Sequence, residues 1–219
     1  MKNLIELKDV TFLRPNGQQC ADALSFSLSE SDKVAITGSN GSGKSTLLQI
    51  ILGLLDGAKG EIKLFGKVCE SEEDFAVFRP KIGYLFQDPD DQLFCPTVLE
   101  DVCFGPVNMG HSQREAEKMA IDTLEQLGIG HLADRVSYHL SGGQKRLVSL
   151  ATVLVMEPEL LLLDEPTNGL DDHNYQLFID IVTQTKLPVI LVSHDVALRN
   201  ALTDVEYRLT DGKLIRQHQ

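Results

Sequence analysis

Nine consecutive residues carry the densest chemistry in this chain: Gly38-Ser39-Asn40-Gly41-Ser42-Gly43-Lys44-Ser45-Thr46. Glycines at 38, 41 and 43 let the backbone come close enough to an anion for its N–H groups to surround the oxygens. Lys44 adds a point charge of the kind that meets β and γ phosphates, and the hydroxyl of Ser45 is a ligand type suited to Mg²⁺. Gly38 to Ser45 fits the spacing G-x-x-x-x-G-K-S/T, with Thr46 following. The spacing needs a strand before it and a helix after it. Lys33 to Thr37 reads as a short buried strand, and Lys44 to Leu55 reads as a helix with Leu47, Leu48, Ile51 and Leu55 on one face. A helix N-terminus then points its positive dipole end at the same anion. A glycine-rich turn arising by chance would lack that context, so phosphate binding is the reading favoured here.

Leu160-Leu161-Leu162-Leu163-Asp164-Glu165 is an apolar strand ending in two acids. Ligands of open α/β sheets bind at that edge. Asp164 is suited to hold Mg²⁺ through water, and Glu165 to orient or deprotonate an attacking water. Taken alone, the acids could simply cap the next helix; coupled to the phosphate loop, the catalytic reading is favoured. Gln87, at the end of a strand-like Lys81 to Phe86, is a neutral oxygen donor suited to Mg²⁺ or the lytic water. His194 follows the strand-like Val189 to Val192 and is placed to meet a γ-phosphate. Leu140-Ser141-Gly142-Gly143-Gln144 precedes an amphipathic helix. Ser141 is a natural N-cap. The alternative is a second anion cradle, which makes most sense if it completes the site of another subunit.

The surrounding elements alternate. Leu4 to Val10, and Leu24, Phe26 and Leu28, read as strands of an antiparallel layer, and Gly60 to Phe65 is also strand-like. From Asp88 to Leu140 the texture becomes helical. Thr97 with Glu100, and Ser112 with Glu115, have capping-box spacing, and Met119, Leu124 and Leu127 give the second helix an apolar face. After Ser141 come a helix to Met156, a strand at Leu160 to Leu163, a helix near Asn174 to Thr183, and a strand at Val189 to Val192. Such alternation predicts a mostly parallel sheet covered by helices, without fixing the strand order.

The 219 residues are 42% hydrophobic and 24% charged, as expected of one large globular domain. A formal net charge of −12 speaks against nucleic acid as a partner and against electrostatic docking on an anionic membrane. A polyphosphate must therefore meet a local positive pocket. Cys20, Cys69, Cys95 and Cys103 form no C-x-x-C pair and read as idle thiols of a reducing cytosol. The opening MKNLIELKDV alternates like a strand and is no signal peptide, and the apolar run around Leu160 to Leu163 is too short to span a bilayer. A cytosolic protein is expected, with room for a membrane-embedded partner.

In their order, the phosphate loop, Gln87, LSGGQ at 140–144, LLLLDE at 160–165, Gly169-Leu170-Asp171 and His194 resemble the ABC ATPases across nearly the whole chain. The resemblance implies an α/β fold: a P-loop NTPase with a RecA-like core and an antiparallel β layer, plus an inserted α-helical subdomain. Residues 1–87 and 145–219 would form the nucleotide-binding core, and 88–144 the helical subdomain with the signature motif. It further implies an ATP sandwich dimer, a homodimer or a heterodimer with a paralogous ATPase. In it, Ser141 to Gln144 of one subunit cover the ATP of the other and Asp171 communicates across the interface. Glu165, His194 and Gln87 would be catalytic, Ser45, Gln87 and Asp164 would hold Mg²⁺, and Gly38 to Thr46 with Arg14 would hold ATP.

A narrower resemblance lies in Phe86 to Phe94 and Thr97 to Asn108, which are similar to the ATPase subunits of energy-coupling-factor importers of the cobalt/nickel and vitamin group. There, the stretch around Gln92 forms an extra short helix beside the groove for the transmembrane coupling subunit. This implies a peripheral protein on the cytoplasmic face of the membrane. Its partners would be an integral coupling subunit and a substrate-binding membrane subunit, with cobalt or nickel as cargo and a vitamin such as biotin as the alternative. Three departures stand out. Arg14, in Phe12-Leu13-Arg14-Pro15, occupies the place of an aromatic that often stacks on adenine; its guanidinium plane, or Phe12, would substitute. Arg146 precedes Leu147, whereas the family's arginine lies further along. The chain ends at Gln219 without the C-terminal segment many relatives use to dimerise, which implies dimers only with ATP. Two rivals fit less well. A soluble ABC ATPase of DNA repair or translation would carry two cassettes or basic or coiled-coil inserts. A small-molecule kinase would lack LSGGQ and would need an acceptor region.

Overall fold

The computed structural model describes residues 2–217. In chain order its first elements are β1 (Asn3–Leu13), β2 (Gln19–Ser29), β3 (Lys33–Thr37), α1 (Lys44–Ile51), β4 (Lys59–Leu64), β5 (Lys67–Val68) and α2 (Glu72–Phe78). Then come β6 (Ile82–Leu85), α3 (Val98–Asn108), α4 (Gln113–Gln126), α5 (Gly142–Leu154), β7 (Leu160–Asp164) and α6 (Asp172–Thr185). The last are β8 (Val189–Val192), α7 (Val196–Leu202), β9 (Val205–Thr210) and β10 (Lys213–Arg216). They form two compact units: one from the chain up to Arg79 and from Leu187 onward, the other from Pro80–Lys186.

The first unit holds the antiparallel layer, in the order β2-β1-β4-β5. From Ile5 onward, Ile5 and Leu7, then Val10 and Phe12, are buried, which breaks strict alternation once. The reason is a register shift between Leu7 and Val10, with Asp9 at φ 51° absorbing an extra residue as a bulge, so that the apolar face returns to phase. The same unit holds β3 between β8 and β9, parallel to both, with β10 turned back onto β9. Leu47, Leu48, Ile50 and Ile51 of α1 are at most 1% exposed. The helix stops at Ile51, short of the predicted Leu55, because Gly53 enters the left-handed region at φ 63°. A Cβ there would lie 2.3 Å from the Phe75 ring, so the turn that ends α1 is also where α2 packs.

In the second unit β6 and β7 pair in parallel, Ile82 against Leu160 through Leu85 against Leu163. All five residues of β7 are buried, as a continuous leucine run in a parallel strand requires. Helix α5 packs against β6, α3, α4 and α6. At Gly83 a Cβ would stand 2.4 Å from Val153 Cγ1 of α5, so β6 and α5 approach as closely as a glycine permits. Both predicted capping boxes form, Thr97 with Glu100 and Ser112 with Glu115. On α4 the buried face is Ala116, Ala120 and Leu124; Met119 is half-buried.

Cys20, Cys69 and Cys103 are buried, and all four thiols are free. Burial raises the pKa of Cys69 and Cys103, and burial together with the Asp101 carboxylate pushes Cys95 up to about 11. These thiols therefore hold their protons at neutral pH and are poor nucleophiles. Among the described residues, no helix is long and apolar enough to cross a membrane.

Candidate active site

The predicted site residues divide between the two units. In the first, β3 delivers the chain to Gly38, and Gly38, Gly41 and Gly43 take φ of 150°, 78° and 105°. Side chains rarely adopt these values, and at two of the positions there is no room for one. A Cβ on Gly38 would lie 2.6 Å from the Leu209 carbonyl oxygen and 2.8 Å from Ser42 Oγ; one on Gly43 would lie 3.0 Å from Cys20 Cβ. Ser42 Oγ is buried with no hydrogen-bond partner among the described residues. A loop of three positive-φ glycines around an unsatisfied buried hydroxyl fits an anionic oxygen-rich ligand.

Lys44, 8% exposed, arcs back over the loop. Its Nζ donates to the carbonyls of Gly38 at 2.9 Å and Ser39 at 3.1 Å. It also stands 3.3 Å from His194 Nε2, which lies 150 residues away in sequence and is delivered by the end of β8. An ammonium only donates, so that contact is a hydrogen bond when Nε2 is unprotonated and the ring proton sits on Nδ1. Ser39, Asn40 and Gly41 are exposed, and Ser45 is half-buried in the first turn of α1. Arg14 reaches the same loop from the β1–β2 connection and donates to Thr46 Oγ1 at 2.6 Å. Phe12, only 6% exposed, belongs to the core of the antiparallel layer and presents no surface for a base.

In the second unit, β7 ends in Asp164, 1% exposed, and Glu165, 9% exposed. Glu165 has φ 45°, an uncommon conformation for a residue with a side chain, costing on the order of 1–3 kcal/mol. Such strain persists where the surroundings fix the side chain's direction. Across from β7, Tyr84 is held in its protonated form by burial and by the Asp164 carboxylate. Gln87 is exposed, but its backbone is clamped: Arg146 donates to the carbonyls of Phe86 and Gln87, each at 2.6 Å. Arg146 is 1% exposed; burial depresses its pKa, while Asp88 and Asp164 oppose the shift. Downstream, Pro89–Asp91 forms one 3₁₀ turn capped by Asp88, which is the short helix the sequence led us to expect near Gln92. Gln92 Nε2 donates to Ser149 O at 3.0 Å and Thr152 Oγ1 at 2.8 Å, and Lys145 pairs with Asp90 at 2.5 Å. Residues 86–92 are thus stapled to α5 by three side chains.

Ser141 caps α5 and forms a full box with Gln144, so the capping reading of that serine holds. Ser141 and Gly142 are nonetheless exposed at the positive end of a 13-residue helix. Gly143 is buried because a Cβ there would meet Asn174 Nδ2 at 2.7 Å. Asn174 in turn donates from its backbone and side chain to Asp171, the N-cap of α6, at 2.8 and 2.9 Å. Two helix N-termini, those of α5 and α6, therefore lie side by side. Sequence reasoning missed Asn174, whose signal is its place three residues after a capping aspartate. It noticed Arg146 only as a displaced residue; a charge between the apolar stretch of α5 and its cap was the available clue.

We predict that Arg146→Ala leaves two carbonyls without a donor, at roughly 1–3 kcal/mol of local stability. Hydrogen exchange should accelerate within residues 86–92, and Arg146→Lys should restore only part of the protection, since one ammonium lacks the two-pronged fork. Parent-like protection in Arg146→Ala would show that this clamp does not hold the segment.

A family profile described as "ABC transporter" matches residues 21–168. An uncharacterised ABC transporter ATP-binding protein of Haemophilus influenzae is 46% identical over 200 residues, covering 91% of this chain and 92% of the relative. The energy-coupling factor transporter ATP-binding protein EcfA of Methanosphaera stadtmanae is 38% identical over 221 residues, covering 99% and 79%. Among solved structures, cbiO1 of Clostridium perfringens, part of the ABC transporter complex cbiONQ, superposes with TM-score 0.84 at 34% identity, covering 98% and 88%. The dimeric ATP-binding cassette MJ0796, in a post-hydrolysis state with ADP and Pi, gives TM-score 0.88 at 26% identity over 98% of each chain. With its fold and its phosphate loop in hand, this chain belongs to the ABC transporter family and is an ATP-hydrolysing cassette of it.

Proposed function

We propose that the chain energises an energy-coupling-factor importer, acting as a pair of cassettes in which each copy covers the ATP of the other. One observation carries the pairing. Besides a cradle with its own Lys44, the chain has a second candidate for an anion cradle: exposed Ser141 and Gly142 at the head of α5, beside the head of α6. The twin is either an identical copy or a paralogous ATPase. Asp171, next to that second site, serves as the contact that reports closure across the interface.

In this reading, backbone N–H groups of Gly38 to Thr46 and the ammonium of Lys44 hold the β and γ phosphates, and His194 contacts the γ-phosphate. Glu165 takes the proton of the attacking water, and Gln87 orients that water. Mg²⁺ would be held jointly by phosphate oxygens and by Ser45, Gln87 and Asp164, oxygen ligands of the kind this ion takes. The ion's contribution is to neutralise charge developing on the phosphates.

The importer reading draws support from the EcfA relative and the cbiO1 neighbour. It also draws on an exposed aromatic pair, Phe94 at 63% and Phe104 at 47%, edge to face at 4.8 Å. Large exposed aromatics mark contact surfaces, and an apolar coupling segment of an integral membrane subunit suits this one. The cargo we propose is cobalt or nickel, with a vitamin as the alternative. The chain would sit on the cytoplasmic face through the coupling subunit and a substrate-binding membrane subunit. Residues 88–144 would act as the helical subdomain that carries the signature, against a core of 1–87 and 145–219.

Glu165→Gln should keep ATP binding, lose phosphate release by roughly 10²-fold or more, and accumulate as a dimer with ATP in size-exclusion chromatography. Unchanged turnover would remove Glu165 from this role. Co-purification from solubilised membranes should bring down integral subunits; recovery with DNA or ribosomes instead would favour a soluble ABC ATPase.

A further inference from the structure

We infer that Arg14 reads phosphate rather than base, so that the site grips a triphosphate with little preference among nucleobases. The inference rests on the proposed nucleotide role of the Gly38–Thr46 cradle and deepens it. The β1–β2 connection is a tight loop: Arg14 N donates to Gln18 O at 2.9 Å, and Gly17 N to Arg14 O at 2.8 Å. That loop is fixed to the cradle at two points. Gln18 Nε2 donates to Gly41 O at 2.6 Å, and one terminal nitrogen of Arg14 donates to Thr46 Oγ1 at 2.6 Å. The other terminal nitrogen donates to Gln18 Oε1 at 3.2 Å, closing a chain of bonds from Gly41 to Thr46.

Thr46 is two residues beyond Lys44 and 4% exposed, so Arg14 sets a second cation on the wall of the phosphate loop. A guanidinium carries five N–H donors; the bonds to Thr46 and Gln18 engage one on each terminal nitrogen, and the others are donors of the kind that meet phosphate oxygens. Because the loop is braced before any ligand arrives, little ordering is lost on binding. A phosphate ligand needs that local field, since the chain as a whole carries −12. The loop from Leu13 to Gln18 has no aromatic ring and Phe12 is buried, so this loop offers no ring on which a base would stack.

The test is isothermal titration of the full chain with ATP, GTP and CTP at low and high salt, using the parent, Arg14→Ala and Arg14→Lys. The expected result is affinities for the three nucleotides within severalfold in the parent. Arg14→Ala should weaken all three alike by about tenfold, with a shallower salt dependence, and Arg14→Lys should recover part of the loss. A parent that strongly prefers ATP, with the preference lost in Arg14→Ala, would overturn the inference and make Arg14 a stacking platform for the base. Unchanged affinities in both variants would remove Arg14 from the site. A parent that binds none of the three would instead overturn the nucleotide reading itself.

Discussion

A chain with net charge −12 that binds a polyanion must build its attraction locally, and everything else in the structure follows from how Lys44 and the glycine cradle do so. The ammonium is held in advance by the carbonyls of Gly38 and Ser39, so no long side chain has to be found and frozen when a ligand arrives. The cradle keeps its shape because its neighbours leave no alternative. The Leu209 carbonyl presses on Gly38 and the Cys20 side chain on Gly43, so residues far away in sequence define the curvature of the loop. Parallel pairing of β3 with β8 and β9 brings Leu209 and His194 to the same end of the strands.

The second unit solves a different problem: presenting two acids at the end of a buried leucine strand. Asp164 and Glu165 emerge where β7 stops, and the left-handed turn at Glu165 changes the direction of the chain within one residue. Beside it, α5 serves three purposes. Its apolar face packs on β6, its Arg146, Lys145 and the acceptors on Ser149 and Thr152 hold residues 86–92, and its N-terminus carries Ser141 and Gly142. A displacement of α5 would therefore move the Gln87 segment and the signature together. Within one protomer this links a residue assigned to the protomer's own nucleotide with residues assigned to the twin's.

Much of this was legible in the sequence, and the exceptions have physical causes. The phosphate loop, the leucine strand with its acids and the capping boxes are local patterns, set by residue type at short spacing. Helix α2 followed the same logic through Ser71 and Asp74, and the β9–β10 turn through Asp211-Gly212, at φ 49° and 73°; both signals were present and unread. Gly53, just past the C-cap Leu52, was a local stop signal for α1, but nothing near it announces that Phe75 packs over it. Others had no local signal. Arg14 bonding Thr46, and Arg146 bonding Phe86 and Gln87, join residues 32 and about 60 positions apart, which only the packed structure brings together.

The claim on which the proposed function depends is that one cassette's cradle is completed by another cassette's Ser141–Gly142. Mixing two defective proteins measures it most directly: Lys44→Ala, which keeps the signature, and Gly142→Asp, which keeps the phosphate loop but sets an anion against the phosphates. Each alone should release almost no phosphate. An equal mixture should recover about a quarter of the parent's rate if copies pair at random, because a mixed pair contains one intact composite site. A mixture no more active than its components would contradict shared sites between copies.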